Sequence, residues 1–381
     1  MKKVSLFLIS LLILTGCSAV KSVKIAVTNP SEIDRANEMV HVEWNKVVEK
    51  LVLTGGETFV IRNESGAQVP YQIIYDGEAT PQSVIFPASV LKGGTVNYTI
   101  EPGKPEEFAK KTFGRAVPER KDDFAWENDR IAFRMYGPAL ANENPSNGVD
   151  VWLKKTNDLI VDKFYKDDLE NKISYHLDHG LGLDCYKVGH TLGAGGVAPF
   201  FNDSLWIGGH YSRAKLLYSG ILRTAFELEY DSVPLDNKII TEKIIIYLDA
   251  YSQFSKAVVS YDGDFENFQV AGGIWLHSDQ ELGNMQSKPE SGYIAYGENA
   301  SDSKVPAGRT YLGVIFPDGM KTVDRRNDHL IGLADYKKGD QFIYYFGAGW
   351  SDWGFDTDDA WFEHVDKCAA QVKQPLQLVV Q

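Results

Sequence analysis

Cysteine is scarce, with three in 381 residues. Two of them, Cys185 and Cys368, lie in the body of the chain, so one disulfide is arithmetically possible. Cys368 falls in an expected C-terminal helix and Cys185 in a turn-rich motif, and two free, buried thiols are expected instead. Basic residues are also in deficit: 39 Lys and Arg stand against 52 Asp and Glu, a net charge of −13. A nucleic-acid partner needs a basic footprint, and that class is excluded. Beyond the first residues no apolar run is long enough to span a bilayer. A serine-nucleophile elbow, a phosphate loop and a dinucleotide fingerprint are all missing. There are no internal repeats or low-complexity tracts, and no cofactor is called for.

The exception is the beginning of the chain. Lys2 and Lys3 precede the apolar run Val4 to Leu14, and Leu14-Thr15-Gly16-Cys17 follows. This is the layout of a secretory signal, and its last four residues resemble a bacterial lipobox. The resemblance implies cleavage after residues 1–16 and lipidation of Cys17. An exported lipoprotein is expected, on the outer membrane facing the periplasm or the cell surface. It would touch the membrane through the lipid anchor only. Without Lys2 and Lys3 the net charge is about −15, with 37 basic residues against 52 acidic.

What remains is long for one domain. Short alternating segments with turn formers between them, such as Thr58 to Arg62 and Val96 to Ile100, predict an N-terminal β-sandwich over residues 17–112. A charged stretch from Pro102 to Asp123 reads as the linker. Longer strand-like segments then succeed one another, Gly220 to Tyr230 and Lys238 to Leu248 among them. Residues 113–381 are expected to form a large two-sheet, supersandwich-like β-domain carrying the catalytic site. Thr357, followed by Asp358 and Asp359 and by apolar spacing to Val372, predicts a capped C-terminal helix. The fold class is mainly β.

Polar chemistry concentrates between residues 175 and 196. Three of the eight histidines fall there, His176, His179 and His190, with Asp178, Asp184, Tyr175, Tyr186 and six glycines. Imidazoles and carboxylates are costly to bury unless paired or used, and dense glycine permits sharp turns. If Asp184 to His190 is extended, Asp184, Tyr186, Val188 and His190 share one face. His176, Asp178 and His179 have metal-ligand composition, but three ligands from a His-x-Asp-His string require a bend. Acid–base use of a histidine is the stronger reading, and purely structural histidines are the third. Tyr186 and Tyr211 are candidate proton carriers, the latter flanked by His210 and Arg213. Arg134 and Arg213 are candidates to grip a carboxylate bidentately. The alternative for each is a surface ion pair, which is the better reading of Arg134. Trp206, Trp350 and Trp353 would form a sugar-stacking wall or pack in the core.

The run Tyr175-His176-x-Asp178-His179-Gly180-x-Gly182-x-Asp184-x-Tyr186-x-Val188-Gly189-x-Thr191-Leu192-Gly193 resembles a family of exported bacterial proteins encoded in polysaccharide-utilisation loci. That family was long described as a domain of unknown function and includes the ulvan oligosaccharide dehydratase. Gly220 to Tyr230 and the ending Tyr344 to Ser351 are similar to it as well. The resemblance implies removal of water from a non-reducing-end uronic acid, leaving a 4,5-unsaturated residue. Such an elimination needs a base for the C5 proton, an acid for the departing C4 hydroxyl and a neutralised carboxylate. His176 and His179 are the acid–base candidates, in either order, with Tyr186 as partner or alternate. Arg213 is the candidate for the carboxylate and Asp184 for orienting a histidine or a sugar hydroxyl. His210, Tyr211, Trp206 and Arg134 complete the substrate-binding set. The expected partner is an acidic oligosaccharide. The rival readings are a polysaccharide lyase or glycoside hydrolase on an acidic glycan, and a non-catalytic glycan-binding lipoprotein.

Overall fold

The computed structural model describes residues 22–48, 50–51, 58–143, 145–277, 281–300 and 306–381. Cys17 and the signal-like residues 1–16 lie outside them. The described chain is mainly β, built of antiparallel sheets with a C-terminal helix. None of its helices is long and apolar enough to cross a membrane.

Two sheets form the N-terminal sandwich. In the strand Val23–Thr28, Val23, Ile25 and Val27 face inward, as period-two alternation dictates. They meet Val84, Phe86 and Ala88 of the strand Ser83–Val90 in the opposite sheet. The last strand of the chain, Gln377–Val380, pairs with Val23–Thr28, and Leu376, Leu378 and Val380 pack on this core. The sequence reading ends the first sandwich at residue 112. The structure completes that sandwich with the C-terminus, because alternating apolar residues there match its open edge.

The larger unit is organised by an eight-stranded long sheet. Its central strands include Arg223–Leu235, Lys238–Asp249, Phe254–Asp262 and Phe342–Trp350. Two five-stranded sheets lie side by side over one face. One, the motif sheet, contains Thr112–Val117, Asp123–Asn128, Ala132–Met135, Val149–Lys154 and Gly182–Asp184. The other, the flanking sheet, contains Ala194–Phe201, Asn267–Trp275 and His329–Lys337. A bridge from Val149 to Gly193 joins the two. Gly193 has φ of +63°, and a Cβ there would run into the Val149 carbonyl, so only glycine closes this seam. The supersandwich-like expectation is thereby met by two bridged sheets facing one.

The helix Asp358–Lys373 lies on the opposite face of the long sheet, where Trp361, Phe362 and Val365 pack on Phe254, Tyr293 and Tyr311. Thr357 caps it by accepting from the Ala360 amide, as read from the sequence. The expected linker is shorter than Pro102 to Asp123. Thr112–Val117 is already a strand, fixed at its start by the Thr112 hydroxyl donating to Gly220 O, and residues 103–111 make this first connection between the units.

Candidate functional site

Alternation in the motif sheet sorts its side chains. Phe133, Val149, Val151, Leu153 and Leu183 point into the main core against the long sheet. Their neighbours Arg134, Asp150, Trp152, Lys154 and Asp184 therefore point the other way, and the register sets Arg134 opposite Asp150 and Trp152 opposite Asp184. A short helix, Val161–Leu169, and the segment carrying Tyr175 roof this outer face, with Trp152, Tyr165 and Tyr175 as its apolar filling. The helix lacks a capping side chain of its own. Buried Glu127 substitutes, accepting from the Ile160 and Val161 amides while Lys154 pairs with it at 2.7 Å.

Arg134 is the centre of the buried layer. Its guanidinium reaches Asp150 at 2.6 Å, Asp184 at 2.9 Å, the Tyr136 hydroxyl at 3.1 Å and the Tyr175 hydroxyl at 3.3 Å. The expected surface ion pair is thus a buried network, and Arg134 has no face open to a substrate carboxylate. Two carboxyls here share one cation. Burial drives Asp150 well above the usual carboxylate range; Arg134 opposes this and the Asp184 charge adds to it.

The histidines stand at the rim of this network. Asp184 N donates to Tyr175 O at 2.9 Å, folding the motif back on its strand. His176 Nδ1 lies 3.0 Å from the Asp184 carbonyl oxygen and 3.7 Å from its carboxylate. A carbonyl only accepts, so Nδ1 carries the hydrogen and Nε2 keeps the lone pair. The His176 side chain is 45% exposed, leaving that lone pair accessible. His179 is exposed, and its Nε2 donates to Ser174 O at 3.1 Å. Asp178 binds Lys155 and accepts from the Gly180 and Gly182 amides. Partial burial works against its ionisation, but Lys155 and the two amides win and hold the carboxyl below its usual range. Gly182, with φ of +122°, passes under Leu153 O where a Cβ would collide. Each member of the alternative metal set His176, Asp178 and His179 thus turns to a different protein partner. Among the described residues no group of three such side chains is placed to hold a metal ion.

The remaining candidates are dispersed. The extended face from Asp184 to His190 does not form: the strand ends at Asp184, and Cys185 and Tyr186 are both buried. Tyr186 lies deep, edge-on to His277 at 5.0 Å, and burial, with Glu298 and Asp150 adding, drives its phenol well above the usual range. Arg213 is on the edge strand of the long sheet, with Glu229 at 2.6 Å and Asp231 at 2.8 Å filling its fork. Tyr211 is buried and donates to Asp122 O, and Trp206 Nε1 donates to Phe201 O. His210 is half-buried with its pKa lowered by burial. Trp350 is buried, its ring 5.7 Å from the Lys155 ammonium, and Cys185 and Cys368 are free thiols.

The sequence reading missed Asp150, Lys155, His277 and Glu298. His277 is buried, with Nδ1 2.6 Å from Glu298 and Nε2 2.8 Å from Lys187 O, so one proton is held between imidazole and carboxyl. The available signal was a charge breaking an apolar strand: Asp150 before Val151-Trp152-Leu153, and Glu298 after Tyr293-Ile294-Ala295-Tyr296-Gly297.

The fold is similar to two solved structures from Enterococcus faecalis. One is an alpha-mannosidase from strain V583, with a TM-score of 0.52 at 8% identity over 95% of this chain and 46% of that one. The other is a protein in the glycosyl hydrolase family 38, with a TM-score of 0.51 at 8% identity over 95% and 47%. This chain spans less than half the length of either, and the likeness is one of fold. In sequence it is 32% identical over 285 residues to "Uncharacterized protein P7" of Formosa agariphila, covering 71% of this chain and 70% of that protein. Residues 27–378, which hold most of both sandwiches and the whole Tyr175–Gly193 motif, match one family model, and the chain belongs to the family described as "Domain of unknown function (DUF4861)".

Proposed function

We propose that the protein is a carbohydrate-active hydro-lyase that removes water from the non-reducing-end uronic acid of acidic oligosaccharides, such as those of ulvan. The observation that carries this reading is the fixed tautomer of His176. Its Nδ1–H is held by the Asp184 carbonyl, and its accessible Nε2 is a ready base for the C5 proton. The Asp184 carboxylate at 3.7 Å stabilises the imidazolium that forms, and Arg134 fixes Asp184. His179, anchored on the same turn through Ser174 O, serves in its imidazolium form as the acid, donating from Nδ1. The C5–H bond breaks toward His176, the C4–O bond breaks, and the hydroxyl leaves as water with the proton from His179. Exchange with solvent resets both rings. Lys155, ion-paired with Asp178 at the turn, has further ammonium hydrogens and meets the substrate carboxylate while keeping that partner. Arg213 has no part in this assignment, since its fork is taken.

The resemblance of the motif to a family containing an oligosaccharide dehydratase supports the reaction class. The two solved proteins of similar fold, one an alpha-mannosidase and one in a glycosyl hydrolase family, support a glycan substrate. The test is incubation with saturated, uronate-ended oligosaccharides, followed by ultraviolet absorbance of the conjugated product and by mass. Loss of water is expected at unchanged chain length. Chain cleavage would instead make the protein a polysaccharide lyase or hydrolase, and no change would leave it a glycan-binding protein.

A further inference from the structure

The long sheet has a second chemically dense surface, on the face turned away from the motif sheet. Ser255 points to the motif side, its hydroxyl 3.1 Å from Trp126 Nε1, so Lys256 projects from the opposite face. There the register places Tyr247 directly across from Lys256, and Lys256 directly across from Tyr345. Two inter-strand steps make this aromatic–cation–aromatic row about 10 Å wide, the breadth of a pyranose with its substituents. The row lines a cleft of about 450 Å³, bounded also by Glu38, Met39 and His41 of the N-terminal sandwich, by Gln371 and Val372 in the last turn of the C-terminal helix, and by Pro375. That size is within the rough range of 300–1,000 Å³ usual for small-ligand sites, which favour domain interfaces.

The charges around the row are unequal in their commitments. Arg223 grips Asp249 through two hydrogen bonds, and Glu38 is paired with Arg35 at 2.7 Å. Asp76 accepts from the Tyr218 hydroxyl at 3.2 Å. Lys256, by contrast, is half-buried with the Tyr247 ring 6.0 Å from its ammonium, and among the described residues no carboxylate is in ion-pair contact with it. A half-buried cation without a counter-charge is costly unless an anion visits it. Burial, with Arg223 adding, lowers the Lys256 pKa, and burial followed by Arg223 pushes His41 down to about 4. Burial is the larger cause in both; Arg223 adds a positive field there, which Asp249 and, for Lys256, Asp76 oppose.

We propose that this cleft is a saccharide-binding site for a pyranose carrying a carboxylate or a sulfate. The anion meets Lys256, and the sugar ring stacks on Tyr247 and Tyr345. The site is separated from His176 by the long sheet and the motif sheet packed on it, and is independent of the reaction proposed above.

The test is protection of Lys256 from acetylation in the full chain, read by mass spectrometry. Glucuronate and glucose 6-sulfate are the anionic probes and glucose is the neutral control. Glucose 6-sulfate has no carboxylate on C5 and cannot undergo the elimination, so its binding is scored whatever the fate of that reading. Saturable protection by at least one anion but not by glucose is expected, and which anion protects identifies the substituent. In Tyr345→Ala or Tyr247→Ala, whichever keeps a wild-type melting curve, the half-protecting concentration should rise about tenfold, the worth of one good contact. His176→Ala should leave protection unchanged. Absence of protection by either anion, equal protection by glucose, or wild-type protection in a folded tyrosine variant would overturn the proposal.

Discussion

At the scale of single residues, the account rests on what each polar group is tied to. His176 is tied through Nδ1 alone and is free at Nε2, whereas Tyr186, once a candidate beside it, is sealed against His277. His176→Ala should therefore lower turnover roughly a hundredfold or more while moving the melting temperature little, because the ring is half-exposed and its ring contact is with Tyr175 alone, centroids 4.7 Å apart, among the described residues. Normal turnover in a folded variant would remove His176 from the mechanism. Arg134 should behave in the opposite manner. Arg134→Met leaves Asp150 and Asp184 buried without their cation and should cost about 3–5 kcal/mol of stability, measured by denaturant unfolding. A loss below about 1 kcal/mol would show that the network is not held by that charge. The candidate site was legible where residue types were unusual for their neighbourhood, as with His176, His179 and Asp184. Depth was not legible: nothing in one sequence distinguishes an Arg134 paired at the surface from one paired with two aspartates across a strand register.

At the scale of elements, alternation and capping carried most of the information. The strand Lys238–Asp249 shows the rule and its exception. Ile240, Ile244, Ile246 and Leu248 point into the core, and Glu242 occupies an inward position among them. Burial raises the Glu242 pKa to about 7, with the neighbouring Tyr261 hydroxyl opposing. The folded state thus binds this proton more tightly than the unfolded chain does. Its stabilising effect is complete below the unfolded value of about 4.3 and is lost as pH rises through about 7. Glu242→Gln should flatten that part of the stability–pH curve and gain up to about 3 kcal/mol at pH above 8. Identical pH profiles for the two proteins would contradict the burial argument. The C-terminal helix was legible from its cap and acidic first turn. Thr357→Ala should cost about 1 kcal/mol in unfolding free energy, and no change would mean that the Asp358 pairing with Arg309 fixes the helix start by itself. The shortened linker was not legible because Thr112 to Val117 lies among charged residues and is made a strand by its hairpin with Asp123–Asn128 and by the distant bond from Thr112 to Gly220 O.

At the scale of the whole molecule, the mainly β fold and its two sandwiches followed from spacing and composition. The return of Gln377–Val380 to the first sheet did not, because a four-residue apolar alternation fits any open edge. The proposed export and anchoring belong at this scale too. Cys17→Ala should move the protein from the membrane fraction to the soluble fraction, since one thiol would carry the lipid. Unchanged membrane association would set the lipobox reading aside. An acidic protein acting on an acidic glycan requires local positive charge to outweigh the global field. Lys256 in the opposite cleft is where the fold supplies it, whereas Lys155 at the histidine turn shares its charge with Asp178. The central claim is that this fold positions His176 to start an elimination. Its most direct test is the ultraviolet rate on a saturated uronate-ended oligosaccharide, with product mass, for wild type and His176→Ala side by side. The account predicts absorbance growth with loss of one water in the wild type and a rate lower by roughly a hundredfold in the variant. Equal rates, or a product shortened in chain length without loss of water, would contradict it.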